Sequence, residues 1–321
     1  MSLVREGLGE KELTPDTIDI IMRSWRPGTK KQYEVYIRKW RTYCHTHSVD
    51  MRSTTVTDVL NFLGMLAISG LGYSAVNTAR GALTAVLTLS KRNTIGNHPL
   101  VVRFMKGLFE TNPPKPRYTS TWDVGKVLAH LKTLSPVKTL SLKNLTLKLT
   151  MLLALVTAQR VQTLQLLDLD NLARGRKFFF TFSEPLKHSR ERKRAPKVDL
   201  SPYPPDRRLC VVTVLNEYAS RTLPLRGTES ALLISFTKPH NKVSRDTIAR
   251  WLRTVMTDSG IDTSVFKAHS TRSAATSRAA NTNVPIDNIL EVGGWSNAGT
   301  FGKFYKKPLE TNTFANAVLR T

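Results

Sequence analysis

The stretch KAHSTRSAATSRAANTNVPIDNILEVGGWSNAGTFGKFY, residues 267–305, decides the fold. It holds His269-Ser270-Thr271-Arg272, then Gly293-Gly294-Trp295, then Phe304-Tyr305. On a helix, His269 and Arg272 lie about one turn apart on one face. Such a pair can present a base and a fixed cation to a single phosphate. Trp295 follows a glycine corner, and its indole N–H can only donate. Tyr305 comes after a short polar, glycine-containing segment, with Lys303, Lys306 and Lys307 around it. A surface helix often carries a His and an Arg at this spacing by chance. The ordered set of His-x-x-Arg, Gly-Gly-Trp and a Tyr, in a very basic chain, is far more specific.

Composition narrows the partner. The 321 residues include 48 Lys and Arg against 24 Asp and Glu, a formal charge of +24. An excess of that size points to a polyanion, most simply nucleic acid, with binding that weakens steeply as salt rises. A ribosomal-type or merely basic soluble protein is the alternative. Residues 1–112 carry 15 basic and 9 acidic residues, a net +6, whereas the remainder carries 33 and 15, a net +18. The second part should therefore grip the polyanion more strongly. Cys44 and Cys210 stand far apart, so no disulfide framework is expected and a reducing compartment is. No apolar run reaches membrane-spanning length and the N-terminus lacks an apolar signal core, so a soluble intracellular protein is expected. Cys44, His45 and His47 have no second ligand pair at zinc spacing, and they read as a helix end.

The first 13 residues are polar and are expected to be disordered. Thr14, Pro27, Thr54 or Thr55, Ser74 and His98-Pro99 then open five amphipathic helices over residues 14–112. Lys31, Arg38 and Arg41 share a face of the second of these, either solvated or laid along a DNA backbone. Asn112-Pro113-Pro114-Lys115-Pro116 cannot continue a helix, and residues 113–120 read as a linker. Residues 121–321 form the second domain. Thr121 is expected to cap a helix carrying Trp122, and a leucine-rich buried helix follows from about Leu140 to Val156. Arg160 comes directly after it, where a cation is uncomfortable without an anionic partner; an exposed corner Arg is the plain alternative. Lys177–Phe182 and Lys197–Leu200 read as paired strands around a basic tip, Leu186–Arg194. That tip could be a solvated turn, a nuclear-localisation patch or a DNA-inserting hairpin, with Arg190, Arg192 and Lys193 as its contact residues. Further helices are expected over 207–221, from Ser244, and over 310–321, with a strand at Leu232–Phe236. The fold class is mainly α with a small antiparallel sheet.

Taken in order, Arg160, the His269/Arg272 pair, Gly-Gly-Trp295 and Tyr305 resemble the catalytic motif of the tyrosine recombinase (phage integrase) family. The runs Thr157–Leu164, His269–Ala274 and Gly294–Tyr305 look like the Crypton or DIRS type of eukaryotic mobile-element recombinase. The resemblance implies a helical core-binding domain before a catalytic domain, the two closing on duplex DNA as a clamp. It implies Arg160 and Arg272 on the scissile phosphate, His269 as base, and Trp295 as hydrogen-bond donor or pocket wall. Tyr305 would be the nucleophile, and Lys187 the acid for the leaving oxygen, with Lys193 as the alternative. The family often has an acid three residues after the first Arg, and Thr163 stands there instead. No cofactor or metal is implied. The implied partners are double-stranded DNA and further copies of the chain, as a homodimer or homotetramer. The implied place is a nucleus in a eukaryote and otherwise a nucleoid or cytoplasm. A type IB topoisomerase-like enzyme and a recombinase-derived protein that only binds DNA are the competing functions.

Overall fold

Helix caps and apolar spacing set the elements seen in the computed structural model, which describes residues 1–51, 53–87, 94–175, 177–184, 186, 189 and 196–308. The chain divides into two units, Met1–Lys115 and Pro116–Thr321.

Among the described residues the first unit has six α-helices, α1 (Ser2–Gly9), α2 (Pro15–Arg23), α3 (Pro27–Thr46), α4 (Val56–Ile68), α5 (Tyr73–Leu87) and α6 (Pro99–Thr111), with a single 3-10 turn at Ile95–Asn97. Thr14 caps α2, and Thr55 with Asp58 closes a reciprocal capping box on α4. Trp40, Phe62, Leu63, Val76 and Leu83 form the centre of its core, with Trp40 and Phe62 edge to face at 5.1 Å. Cys44 lies in that core, and burial pushes its thiol up to about 11. The expectation of disorder over residues 1–13 is corrected by α1. Leu3, Val4 and Leu8 fall on one face and bury against the core, although the charged residues between them make the stretch look polar.

In the second unit, α7 (Val124–Thr133) precedes α8 (Leu142–Thr157) and α9 (Val161–Gln165). The strands β1 (Leu172–Ala173), β2 (Phe178–Phe180) and β3 (Val198–Leu200) form one antiparallel sheet in that order, with Phe179 opposite Asp199. Helices α10 (Val211–Thr222), α11 (Arg245–Asp258), α12 (Ser270–Asn281), α13 (Ile286–Gly293) and α14 (Ala298–Phe304) follow. The mainly helical fold with a small antiparallel sheet is thus as expected. α8 is the hub, packed by α9, α10, α11, α12 and β3. Its Thr146, Thr150 and Thr157 hydroxyls donate back to carbonyls four residues earlier at 2.6–2.8 Å, so they sit in the core without orphaned polar atoms.

Two local expectations change. Asp123, not Thr121, caps α7, with its carboxylate accepting from the Gly125 N–H at 2.7 Å. Trp122 precedes the helix, and its indole donates to the Ser270 hydroxyl at 2.9 Å. The Leu232–Phe236 strand is reduced to isolated bridges, Asp168 to Ala231 and Ile234 to Lys242, because its neighbours run alongside for only one residue pair each. Among the described residues no helix is long and apolar enough to cross a membrane. The expected helix over 310–321 lies outside the described residues.

Lys148 is fully buried on α8 and donates to the Leu134 carbonyl at 2.5 Å and the Ser135 hydroxyl at 3.2 Å. Burial pushes its ammonium down to about 8, with Asp206 pulling the other way. The unfolded chain keeps that proton up to a pKa of about 10.4. Between these values the unfolded state binds the extra proton, so stability rises with pH from about 8 upward. Urea unfolding of wild type and Lys148→Met at pH 7.5 and 9.5 should show this gain in wild type only. Equal gains in both proteins would contradict the assignment.

Candidate active site

Three backbone devices bring the sequence motifs into one place. The first is the end of α8. Ala158 takes a left-handed conformation at φ 47°, which stops the helix and leaves Arg160 as the N-cap of α9. The Ala158 carbonyl accepts from Arg272 Nη1 at 3.0 Å, and Gln159 Nε2 donates to the Val292 carbonyl at 2.7 Å. The turn carrying Arg160 is therefore tied both to α12 and to the end of α13. Thr163, in the position where an acid was wanted, is buried and its N–H donates to the Arg160 carbonyl at 2.8 Å. Among the described residues Arg160 makes no ion pair with an acid.

The second device is the Gly-Gly corner. Gly294 ends α13 at φ 63°, a conformation glycine adopts without steric cost. Gly293 has a different reason to be glycine. A Cβ there would lie 2.0 and 2.2 Å from two carbons of the Trp295 ring. The bare Cα lets the indole fold back over the chain. Trp295 then packs with Ile289 and Phe301 in a small cluster beside the main core, with Tyr305 partly buried against it.

The third is α12. Arg272 is 1% exposed, and its Nη groups donate to the carbonyls of Ala158 and Gly293. Its guanidinium carbon sits 4.0 Å from the Trp295 ring centre and 5.2 Å from that of Tyr305. These cation–π contacts hold the guanidinium plane in place. Burial, and next the nearby Arg160 cation, push Arg272 below the ordinary arginine range, while Tyr305 acts the other way. Two guanidinium groups have thus been gathered without an acid to balance them. Among the described residues, three buried donors of these side chains have no partner: Arg160 Nη1, Arg272 Nε and Trp295 Nε1. Unpaired buried donors are costly, and an anion accepting from them would offset the cost.

Tyr305 directly follows α14, with its ring 4.5 Å from Trp295. Its Oη lies 3.4 Å from Nε2 of His269, which is the exposed N-cap of α12. That distance is long for a hydrogen bond but within reach of proton transfer on modest closure. Arg160, His269, Arg272, Trp295 and Tyr305 are therefore brought together. Lys187 and Lys193, and with them Arg190 and Arg192, lie outside the described residues. Lys31, Arg38 and Arg41 are exposed on α3 of the first unit. Among the described residues no group of three His, Cys, Asp or Glu is placed to hold a metal ion.

Sequence reasoning passed over Ser273 and Ser277, whose hydroxyls both donate to the Tyr305 carbonyl at 2.8 Å. The available signal was their spacing, four and eight residues after His269 on an otherwise alanine-rich helix.

A mostly helical second unit has thus gathered two arginines beside a phenol. Residues 123–311 match the Phage integrase family. That match spans more than half of the chain, and the chain belongs to this family, membership of which supports an enzyme that cleaves and rejoins DNA. Solved structures share the fold. The integrase of transposon Tn1549, in complex with transposon right-end DNA, is 14% identical, with a TM-score of 0.62 over 98% of this chain and 97% of that one. The XerH site-specific recombinase bound to difH is 11% identical, with a TM-score of 0.61 over 90% and 78%. A lambda integrase dimer bound to a core site is 15% identical, with a TM-score of 0.53 over 93% and 95%. No curated protein sequence matches the chain.

Proposed function

We propose that this protein is a site-specific DNA recombinase that breaks and rejoins strands through a 3′-phosphotyrosyl intermediate. The observation that carries the proposal is the gathering of Arg160 and Arg272, with unpartnered donors, around the phenol of Tyr305. Tyr305 Oη would attack the scissile phosphorus and pass its proton to His269 Nε2, 3.4 Å away. A free phenol has a pKa near 10, so only about one in a thousand is ionised at neutral pH, and a base raises the rate. The bond from phosphorus to the 5′-oxygen breaks, and that oxygen takes a proton from Lys187 or Lys193. The 5′-hydroxyl of a second strand then attacks the phosphotyrosine and returns the phenol, so the ester bond is kept rather than hydrolysed. Arg160 and Arg272 would hold the non-bridging oxygens as charge grows on them, where a bidentate fork outperforms lysine.

The partners are duplex DNA and further copies of the chain. This reading is supported by the net charge of +24, and by relatives solved on DNA as a dimer and as a tetramer on a Holliday junction. Lys31, Arg38 and Arg41 would lie along the DNA backbone. Arg190, Arg192 and Lys193 would contact it from the basic tip. Three runs of the Crypton and DIRS type favour a mobile element as the substrate, moved by integration or excision, and a nucleus as the place of work if the host is eukaryotic.

Strand exchange between paired target sites, cloned from the ends of the element that carries the sequence, tests the reading. Exchange dependent on both sites is the expected result. Relaxation of any supercoiled plasmid without exchange would favour a topoisomerase. Binding with neither outcome would leave a protein that only binds DNA.

A further inference from the structure

The segment after α14 is fastened to its own chain by an unusual number of hydrogen bonds. The Tyr305 carbonyl accepts from Ser273 Oγ and Ser277 Oγ, each at 2.8 Å. Ser277 Oγ in turn accepts from the Lys307 N–H at 2.9 Å, so that one hydroxyl donates and accepts within the same tripeptide. The Pro308 carbonyl accepts from the Thr121 N–H at 2.9 Å. Both serines are buried, Ser273 at 7% and Ser277 at 1% exposure. Neither is needed to fill space: α12 carries alanines at 274, 275, 279 and 280, and alanine would be the better helix former at 273 and 277 as well. Their hydroxyls could have bonded back to their own helix, as the neighbouring Thr276 does to the Arg272 carbonyl at 2.8 Å. Both reach outward instead, to one acceptor.

We propose that Ser273 and Ser277 form a hydroxyl clamp on the main chain of Tyr305, positioning its phenol for attack and committing it to the active site of its own chain. The inference rests on the reading of Tyr305 as the nucleophile. One helix then carries every reference point. His269 at its start faces the phenol, Arg272 one turn on lies against the phenol ring, and the two serines fix the carbonyl of the same residue. Holding the carbonyl fixes the direction of the Cα–Cβ bond. The ring is then confined to the slot between Trp295 and His269, which removes most of its freedom before DNA arrives. The serines touch no reacting atom; they are positioning residues. A tyrosine handed to a neighbouring protomer would first have to break these bonds.

The test compares wild type, Ser273→Ala, Ser273→Thr and Ser273→Ala/Ser277→Ala with two readouts. One is the single-turnover rate of covalent adduct formation on a nicked suicide duplex, with DNA affinity measured beside it. The other is hydrogen exchange of the 304–308 peptide in the free protein. Loss of the clamp should slow adduct formation about tenfold or more while affinity stays within about twofold, since misplacement raises the barrier and not the binding constant. Exchange at the Lys307 amide should speed up in the double variant. Ser273→Thr keeps a hydroxyl at 273 and should restore most of the rate. The proposal is overturned if exchange and rate match wild type. It is also overturned if rate falls only in step with affinity, or if the threonine is no better than alanine. If wild type itself forms no adduct, the nucleophile assignment fails, and the positioning role falls with it. Faster exchange in the double variant would then report only a structural tether.

Discussion

Tyr305→Phe should leave DNA binding unchanged and should form no covalent adduct. The substitution removes one oxygen from a ring that is otherwise held by contacts phenylalanine keeps. Trp295 at 4.5 Å and the Arg272 guanidinium at 5.2 Å both pack on the ring, a contact phenylalanine keeps. The carbonyl held by Ser273 and Ser277 belongs to the main chain and is also unaffected. The hydroxyl meets His269 at 3.4 Å and also the Arg272 guanidinium, so its loss should cost a modest amount of stability. The oxygen that would make the phosphodiester bond is gone, and no rearrangement of the site supplies another nucleophile at the same point. Covalent capture on a nicked suicide duplex, with gel-shift affinity beside it, checks both halves. An adduct from the variant at a rate near wild type would remove Tyr305 from the reaction.

Gly293→Ala should disable cleavage without touching any reacting group. The added methyl would sit 2.0 Å from the Trp295 ring, far inside any tolerable contact. The nearby ring atoms belong to a large side chain wedged against Phe301 at 5.6 Å and Tyr305, so the indole has to move as a body. Movement uncovers the face of Arg272 and releases the Tyr305 ring. The Gly293 carbonyl that accepts from Arg272 shifts as well. Overpacking of this kind costs about 1–3 kcal/mol of stability. A misplacement near 1 Å costs on the order of a hundredfold in rate. Single-turnover cleavage should therefore fall by about that factor, with a modest drop in thermal midpoint and retained DNA binding. Wild-type cleavage by this variant would mean that the indole does not hold the site together.

The sequence disclosed those parts of the molecule that depend on neighbours in the chain. Thr14, Thr55 and Ser244 could be read as helix starts because capping is local, and each is an N-cap in the structure. Of the candidate site, the side chains with distinctive chemistry stood out: His269, Arg272, Trp295 and Tyr305 by their order, and Arg160 by its awkward place after an apolar helix. The remainder depended on partners far along the chain. Nothing local marks Lys148, whose ammonium is satisfied by the carbonyl of Leu134, 14 residues earlier. Ser273 and Ser277 carry no local signal of their role, since the carbonyl they share is 32 and 28 residues away. Gly293 looked like half of a turn, although only Gly294 has the left-handed backbone and Gly293 instead makes room for an indole. The helix over Ser2–Gly9 was hidden by its charges, because three apolar residues in eight are too few for a periodicity to show.

The measurement closest to the central claim is the identity of the amino acid joined to DNA. Wild-type protein would be trapped on a nicked suicide duplex, digested with trypsin and nuclease, and the nucleotide-bearing peptide sequenced by mass spectrometry. A nucleotide joined through its 3′-phosphate to Tyr305, in the peptide that follows Lys303, is the predicted result. A nucleotide on any other side chain, or one joined through a 5′-phosphate, would contradict it.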